Sequence, residues 1–444
     1  MKILMIQSPS VEDQTKERVY PLGISILGTI AQNHGDDVRI VDMNMEKDPF
    51  ATIIEEIKKD TDLVCISLRN IDPLANKNVS LVPPFITTIS LICAHKPNVK
   101  IIAGGTGFSL FAKDLMDIAP IDYGMIGEGE ISFPLFLDSF ENPPKDLPGL
   151  CYYENNTLII NEPEPVFSLD NYISPNYSLL PPTDYAKINQ YVPAMGVETR
   201  RGCPLKCDYC SYPILQGKTI RCRPVYAIVD EIEKLYKDYN VRYFHFNDPV
   251  VNMPEKHLNA ICEEILKRKL DIQWTGFFRE NLLTKENLAL YVKTGCNCFA
   301  LSPDGLSAHA RTVLKKDLTE AQLLNAAKLL ADTGVCVLYH FMVNVPGETA
   351  KSIKESKETM EKIYKIHEKS RSIGTVVLNQ IRLLPKTGSA QAAIDEGAIS
   401  KNDTLLYPLY YNPAPFQNLR YELEIINQKK NTFMWYQIDE GKTK

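Results

Sequence analysis

No uncharged apolar run in this 444-residue chain approaches the roughly 18 residues needed to cross a bilayer. The N-terminal MKILMIQSPS carries only a short apolar stretch after Lys2, too little for a signal-peptide core, so a soluble, cytoplasmic protein without a membrane partner is expected. Excess positive charge is missing too. Lys and Arg number 49 against 55 Asp and Glu, a net −6, which gives no basic footprint for a phosphate backbone and makes nucleic acid an unexpected partner. With 44% apolar and 23% charged residues, the low-hydrophobicity, high-charge signature of disorder is also absent. A chain of this size buries about three quarters of its unfolded surface, so no disulfide scaffold is required. The 11 cysteines are an odd number with three of them in one short stretch, which points to thiols or metal ligands rather than bridges.

Short β-branched runs alternate with helix-length stretches through the first 140 residues. The runs are Lys2–Gln7, Val38–Asp42, Leu63–Leu68, Val99–Ala103 and Tyr123–Ile126, and Pro21–His34 and Pro84–His95 are long enough for crossover helices. This spacing predicts a Rossmann-like, doubly wound parallel sheet over 1–140. Ligands of such sheets bind beyond the strand C-termini. Those ends carry Ser8-Pro9-Ser10, Ser67-Leu68-Arg69-Asn70, Gly104-Gly105-Thr106-Gly107 and Gly127-Glu128-Gly129-Glu130. Residues 141–190 become Pro-rich around a hairpin, Leu150–Glu154 and Thr157–Asn161 joined by Asn155-Asn156, and read as a linker.

Alternation returns over 191–385. Strands are expected near Ala194–Thr199, Tyr243–Asn247, Gln273–Phe278, Cys298–Leu301, Val335–Val345 and Val376–Leu384, with helices at Val225–Tyr239, Glu255–Lys269, Lys285–Thr294, Glu320–Thr333 and Ala350–Lys369. The pattern is that of a partial (β/α)6 barrel of TIM type, α/β overall, whose chemistry belongs at the C-terminal strand ends. Residues 386–444, polar and aromatic, are assigned to a small C-terminal cap.

Directly after the first of these strands stands Arg201-Gly202-Cys203-Pro204-Leu205-Lys206-Cys207-Asp208-Tyr209-Cys210, a C-x3-C-x2-C arrangement. Three thiolates on one tight loop can face a single soft metal centre, and a [4Fe–4S] cube held by three of them leaves one iron open to a substrate or cofactor. Zinc is the other reading; a closed zinc site takes four ligands, and Cys222 or His245 could be the fourth. Cys65 and Cys93 read as buried apolar residues, and Cys296 with Cys298 is spaced poorly for one tetrahedral site. Alternation sends one of Tyr339 and His340 inward, to a substrate or to satisfied core contacts. Arg221 and Arg223 suit an anion or a solvated loop.

The cysteine loop, with aromatic Tyr209 before its last cysteine, resembles the radical S-adenosylmethionine (SAM) superfamily over about residues 191–385. The resemblance implies a [4Fe–4S] cluster on Cys203, Cys207 and Cys210, SAM chelated to the open iron, and one-electron cleavage of SAM to methionine and a 5′-deoxyadenosyl radical. A flavodoxin- or ferredoxin-type protein would supply the electron. It further implies SAM contacts at Tyr209, at Asn247 and Asp248 ending the second strand, and at Ser302 and Asp304, where many members carry Glu-Ser-Gly instead. Gly347, in Val345-Pro346-Gly347-Glu348-Thr349, is a further implied contact, in a stretch that reads equally as a turn with a helix cap.

Ahead of such a barrel, the N-terminal sheet resembles the cobalamin-binding domain of cobalamin-dependent radical SAM enzymes. The residues so assigned are Ser67, Arg69, Asn70, Gly104, Gly105, Thr106, Gly107, Gly127, Glu128, Gly129 and Glu130. Glycines there allow positive φ and close backbone approach, and each loop alone would also suit a nucleotide or a flavin. The Asp-x-His-x-x-Gly motif is absent, so cobalt is expected without a histidine on its lower face. Arg69 is placed over that face, where guanidinium cannot coordinate; a salt bridge to Asp72 or a helix terminus is its alternative.

The same resemblance implies a methyltransferase acting on an unactivated centre of a small molecule or peptide. One SAM would methylate cobalamin and a second would generate the radical, and the Ser-Leu-Arg-Asn stretch leans toward the tryptophan-methylating, purely polar type. Other readings are a cyclase or rearrangement enzyme with the same cofactors, and a non-catalytic cobalamin or iron–sulfur sensor. A methylthiotransferase would need three further cysteines in the N-terminal domain.

Overall fold

A computed structural model describes residues 1–9, 18–73, 78–187 and 193–430. Ser10, the expected domain boundary at 190/191 and residues 431–444 of the expected cap lie outside the described residues. The chain forms two compact units, divided mainly at Gly196/Val197. Among the described residues no helix is long and apolar enough to cross a membrane.

The first unit is built on β1 (Lys2–Gln7), β2 (Asp37–Asp42), β3 (Leu63–Ser67), β4 (Lys100–Gly104), β5 (Tyr123–Met125), β6 (Leu150–Glu154) and β7 (Thr157–Ile160). They form one sheet in the order β2-β1-β3-β4-β5-β6-β7, of which the first five strands are parallel. The strand order reverses between β1 and β3, with β2 added on one side of β1 and β3 to β5 on the other, which is the switch point of a doubly wound sheet. Ile3, Leu4, Met5 and Ile6 are each at most 1% exposed, so β1 is buried on both faces and its sequence is an unbroken apolar run. Each such side chain contributes about 1.5–3 kcal/mol on burial. Local signals set the crossover helices: Leu22–His34 ends at Gly35 in the left-handed region, and Pro49–Lys58 begins after Asp48, whose side chain accepts from the Ala51 N–H.

The expected hairpin is present, with Asn155 and Asn156 both at positive φ as a two-residue turn requires. It is more than a ribbon in a linker: β6 pairs antiparallel with β5 and continues the sheet. The physical reason is the edge that three-residue β5 would otherwise leave open, a partner that composition alone does not reveal.

The second unit holds six strands in chain order: β8 (Gly196–Val197), β9 (Tyr243–Phe246), β10 (Gln273–Phe278), β11 (Cys296–Asp304), β12 (Cys336–Met342) and β13 (Ile373–Asn379). Neighbours from β9 to β13 are parallel. Helices Val225–Asp238, Glu255–Lys267, Lys285–Lys293, Glu320–Thr333 and Ala350–His367 lie between them. This is the expected barrel-like parallel sheet. Three of the helices start with capping boxes, at Thr284, Thr319 and Thr349. Phe246, Trp274, Phe278 and Phe299 pack with Tyr291 of the Lys285–Lys293 helix, ring centroids 4.9–6.0 Å apart, and define the face turned to the helices. The opposite, inner face carries His245, Phe277 and His340, again in ring contact.

The C-terminal residues do more than cap. Ile381–Arg382 pairs antiparallel with Tyr410–Tyr411, and Asn427 of the helix Leu419–Lys429 donates to the Val376 carbonyl of β13 at 3.1 Å.

Candidate functional site

The three-cysteine loop leaves the C-terminal end of β8. Arg200–Arg201 pairs with Arg221–Cys222, Gly202 turns the chain at φ +83°, and the Cys210 N–H closes a tight turn on the Cys207 carbonyl at 3.2 Å. Cys203 is buried, and Cys207 and Cys210 are half-buried. Burial pushes the Cys210 thiol up to about 12; the Tyr212 N–H opposes this, and Cys207 and Cys203 push the same way. A cationic centre would stabilise thiolates set this close together. Among the described residues no three His, Cys, Asp or Glu side chains converge on one metal ion. A cube of four irons spreads its thiolates wider than a single ion does, and three cysteines on one loop are the donor set such a cube takes.

The loop is braced from several sides. Arg200 Nη1 donates to the Gly202 carbonyl at 2.6 Å, and its Nε donates to the Val250 carbonyl at 3.0 Å. Asp248 is fully buried and accepts from the Thr199 and Arg200 N–H groups at 2.8 and 3.1 Å. Its carboxyl is therefore committed to the strand that feeds the loop. Asn247 lies beside it, its N–H on the Val197 carbonyl at 3.0 Å. The Asp208 carbonyl accepts from the Ser389 N–H at 3.3 Å, so the C-terminal segment also reaches the loop. Arg223 is not solvated: its Nη2 pairs with Glu231 at 2.6 Å with both side chains at most 1% exposed.

Tyr209 turns its hydroxyl to Asp304, which also pairs with Lys316 at 2.6 Å. Asp304 ends β11 at φ +60°, so its carboxylate is delivered sideways to the cysteine loop. Arg279, just past β10, donates from Nη2 to the Lys316 and Asp317 carbonyls at 2.5 and 2.6 Å. Its Nη1, and both carboxylate oxygens of the adjacent Glu280, are buried without a hydrogen-bond partner among the described residues. Burial pushes the Glu280 carboxyl above the ordinary range, with Lys316 opposing it. For Lys316, burial alone would lower the pKa, but Asp304, Glu280 and the Cys207 thiol together raise it. A carboxylate and one guanidinium nitrogen, each without a partner among the described residues, match a ligand that offers N–H groups and a carboxylate.

Arg279, Glu280 and Lys316 are absent from the residues the sequence brought forward. Arg279-Glu280 follows a barrel strand directly, which was an available signal. Lys316 had none, because it arrives from the turn after the helix Ala308–Val313. Ser302 is half-buried on β11. Gly347 lies at φ +70° against His309, whose Nε2 meets the Pro346 carbonyl at 2.9 Å, and Thr349 is the cap of the next helix. Tyr339 faces the helices, within 2.8 Å of His367 Nε2, while His340 faces inward.

In the first unit, Ser67, Arg69, Asn70 and Gly104 to Gly107 form one patch at the ends of β3 and β4. The Gly107 N–H donates to the Leu68 and Arg69 carbonyls at 3.0 and 2.9 Å, and Thr106 Oγ1 donates to the Arg69 carbonyl at 2.6 Å. Gly105, at φ +101°, has room for no side chain: a Cβ would lie 2.6 Å from the Leu68 oxygen. These glycines hold the Leu68–Arg69 turn close, while the Arg69 side chain is exposed. Gly127 donates its N–H to Ser109 Oγ at 3.0 Å and abuts Pro163, Gly129 abuts Leu27, and Glu128 accepts from the Val166 N–H at 2.9 Å. Glu130 is half-buried beyond them. His34 sits before β2, bound to Asp36 and Asp138, and His95 bonds the Leu91 carbonyl.

Residues 197–360 match the Radical SAM superfamily, and residues 13–137 match the B12 binding domain. An uncharacterised methyltransferase of Pyrococcus horikoshii is 27% identical over 372 residues, 82% of this chain and 78% of that protein. An anaerobic magnesium-protoporphyrin IX monomethyl ester cyclase of Rubrivivax gelatinosus is 27% identical over 283 residues; this chain spans half of that protein's length. The solved radical SAM methyltransferase TsrM of Kitasatospora setae, with cobalamin and a [4Fe–4S] cluster bound, superposes with a TM-score of 0.76 at 18% identity, over 90% of this chain and 79% of that one. At that identity the likeness speaks for the fold. A further structure of TsrM holds tryptophan and a SAM analogue. The chain belongs to the radical SAM enzymes that carry a B12-binding domain ahead of the barrel. Its cofactors are accordingly a [4Fe–4S] cluster, SAM and cobalamin.

Proposed function

We propose that the protein is a cobalamin-dependent radical SAM methyltransferase that moves a methyl group from SAM, by way of cobalamin, to an unactivated centre of a small molecule or peptide. The observation that carries this reading is the pairing, in one chain, of a B12-binding domain with a barrel whose first strand end presents three thiols. An unactivated carbon is no nucleophile toward a sulfonium, so its methylation calls for both parts. When bound, the cluster and SAM supply a radical able to remove hydrogen, and cobalamin supplies the methyl relay.

Cys203, Cys207 and Cys210 hold three irons. Glu280 accepts from the methionyl amino group and Arg279 Nη1 donates to the methionyl carboxylate, which satisfies three atoms otherwise buried without partners among the described residues. Tyr209, Asp304 and Lys316 fix the loop beside them, with Asn247, Asp248, Ser302 and Gly347 shaping the surrounding strand ends. His245, Phe277 and His340 face the substrate from the inner side of the sheet. In the first unit, Ser67, Arg69, Asn70, Gly104 to Gly107 and Gly127 to Glu130 form the cobalamin edge. A flavodoxin- or ferredoxin-type protein is the reductant.

The test is incubation of the reconstituted enzyme with candidate substrates and methyl-labelled SAM, followed by identification of the product. A product carrying the labelled methyl supports methyl transfer. A transformed but unlabelled product would instead establish cyclisation or rearrangement, the reading favoured by the similarity to the Rubrivivax cyclase.

A further inference from the structure

At the opposite, N-terminal ends of the barrel strands stands a second group of thiols that the proposed reaction does not use. Cys298 of β11 lies directly opposite Cys336 of β12 in the parallel ladder. Neighbouring strands run about 4.8 Å apart. That falls within the roughly 4.4–6.8 Å between Cα atoms that a disulfide accepts. The two side chains are within hydrogen-bonding reach of each other, and both residues are half-buried rather than sealed in the core.

Two irregularities in the sheet create this pair. Trp274 aligns with Cys296 but Thr275 aligns with Cys298, so Asn297 is an extra residue on β11. Without it, Cys298 would follow the alternation set by Cys296 and point with Trp274 into the helix layer. With it, Cys298 shares the inner face of Thr275. On the far side, Val337 aligns with Ile373 but Leu338 aligns with Thr375, which makes Gly374 an extra residue on β13. A Cβ at Gly374 would lie 2.5 Å from Cys336 Sγ, so only glycine leaves that sulfur its place. The backbone of Gly374 hydrogen-bonds the same sulfur. The pair is also polarised: Cys298 donates to Cys336, which lowers the pKa of Cys336 and raises that of Cys298. Cys336 is the thiol that ionises and attacks; Cys298 is the one that follows.

We propose that Cys298 and Cys336 form a reversible dithiol–disulfide couple that a low-molecular-weight disulfide oxidises. Cys336 Sγ, as thiolate, attacks one sulfur of that disulfide and forms a mixed disulfide, expelling one thiolate. Cys298 then gives up its proton and attacks Cys336 Sγ, expelling the second. The protein loses two protons and two electrons and gains one S–S bond, and the external disulfide becomes two thiols. The bond ties β11 to β12, the strands that carry Asp304 and His340, and the couple stands whether or not the methyl-transfer reading holds.

The experiment treats the cluster-loaded full-length protein with oxidised glutathione under anaerobic conditions, alkylates free thiols, and maps the digest by mass spectrometry. The expected product is a Cys298–Cys336 linked peptide that dithiothreitol removes, with iron content unchanged. Cys298→Ser should accumulate glutathione on Cys336, whereas Cys336→Ser should leave Cys298 unmodified. Gly374→Ala, which keeps both thiols but displaces Cys336 Sγ, should lose the linked peptide. Recovery of both thiols fully alkylated from the oxidised wild type overturns the proposal, as does an undiminished link in Gly374→Ala.

Discussion

Lys316 and Asp304 form a 2.6 Å ion pair in which neither side chain is more than 8% exposed, although one comes from a turn and the other from a strand end in the left-handed region. The Tyr209 hydroxyl bonds the same Asp304 oxygen, so the pair ties the last turn of the cysteine loop to the barrel. Removing one partner strands the other as a buried charge, at a cost of about 3–5 kcal/mol. Lys316→Met is therefore expected to lose stability of that order in urea unfolding of the apoprotein. Asp304→Asn tolerates the same backbone, and the double variant should lose clearly less than the sum of the two single losses. Additive losses would separate the two residues.

Anaerobic reconstitution should load about four irons per chain, as a cube on three thiolates requires. Cys203→Ala, Cys207→Ala and Cys210→Ala should each abolish the charge-transfer absorption and the bound iron. Stoichiometric zinc without that absorption would overturn the cluster assignment.

His367 gives the fold an acid-sensitive contact. Burial depresses its pKa to about 4, and its ring sits between Tyr339 and Ser372 at 2.8 and 2.7 Å. The folded value lies below the unfolded value of about 6.5. Its contribution is therefore complete above about 6.5 and is lost as the pH falls toward 4, amounting to roughly 3 kcal/mol at the bottom of that window. His367→Gln should cost about 1 kcal/mol at pH 7 through weakened hydrogen bonds. That deficit should shrink or reverse at pH 4.5; a deficit constant in pH would exclude the linkage.

The strand–helix rhythm was legible because buried parallel strands are unbroken apolar runs, as in Ile3 to Ile6, and because their helices begin at recognisable caps such as Thr319 and Thr349. The three cysteines were legible by spacing. Glu280 had only its place just past a barrel strand to mark it, and Lys316 nothing, because a long-range ion pair leaves no local pattern. The Gly104–Gly107 stretch shows the converse. Gly105 and Gly107 are also demanded by the Leu68 carbonyl, a contact between two strand ends that the pattern of one loop does not show. Asn297 and Gly374, the bulges that turn Cys298 and seat Cys336, lie inside runs whose strand character hides them.

Arg69 is exposed on a turn whose carbonyl is held by Thr106 and Gly107, so its main chain is fixed. If its guanidinium covers the lower face of cobalt, Arg69→His introduces a neutral nitrogen that can coordinate where guanidinium cannot. The cob(II) electron paramagnetic resonance spectrum of the variant should then show nitrogen hyperfine splitting that the wild type lacks. Identical spectra remove Arg69 from the site.

Glu280 predicts a trade of stability against ligand affinity. In the apoprotein its carboxylate is buried with no hydrogen-bond partner for either oxygen from another side chain among the described residues, and burial holds its pKa above the unfolded value of about 4.3. Because the folded state disfavours ionisation, the penalty is absent at low pH, grows as the pH rises through the unfolded pKa, and levels off above the folded one. Glu280→Gln keeps the shape and removes the charge, so the variant apoprotein should be more stable than wild type by about 1–3 kcal/mol at pH 7. At pH 4 the gain should vanish. If SAM supplies the missing N–H groups, each charge-assisted bond contributes about 1.5–3 kcal/mol. SAM should therefore bind the cluster-loaded variant roughly tenfold or more weakly, measured by calorimetry with no turnover involved. A variant no more stable than wild type at pH 7, with unchanged SAM affinity, would show that Glu280 is neither strained in the apoprotein nor used by the cofactor.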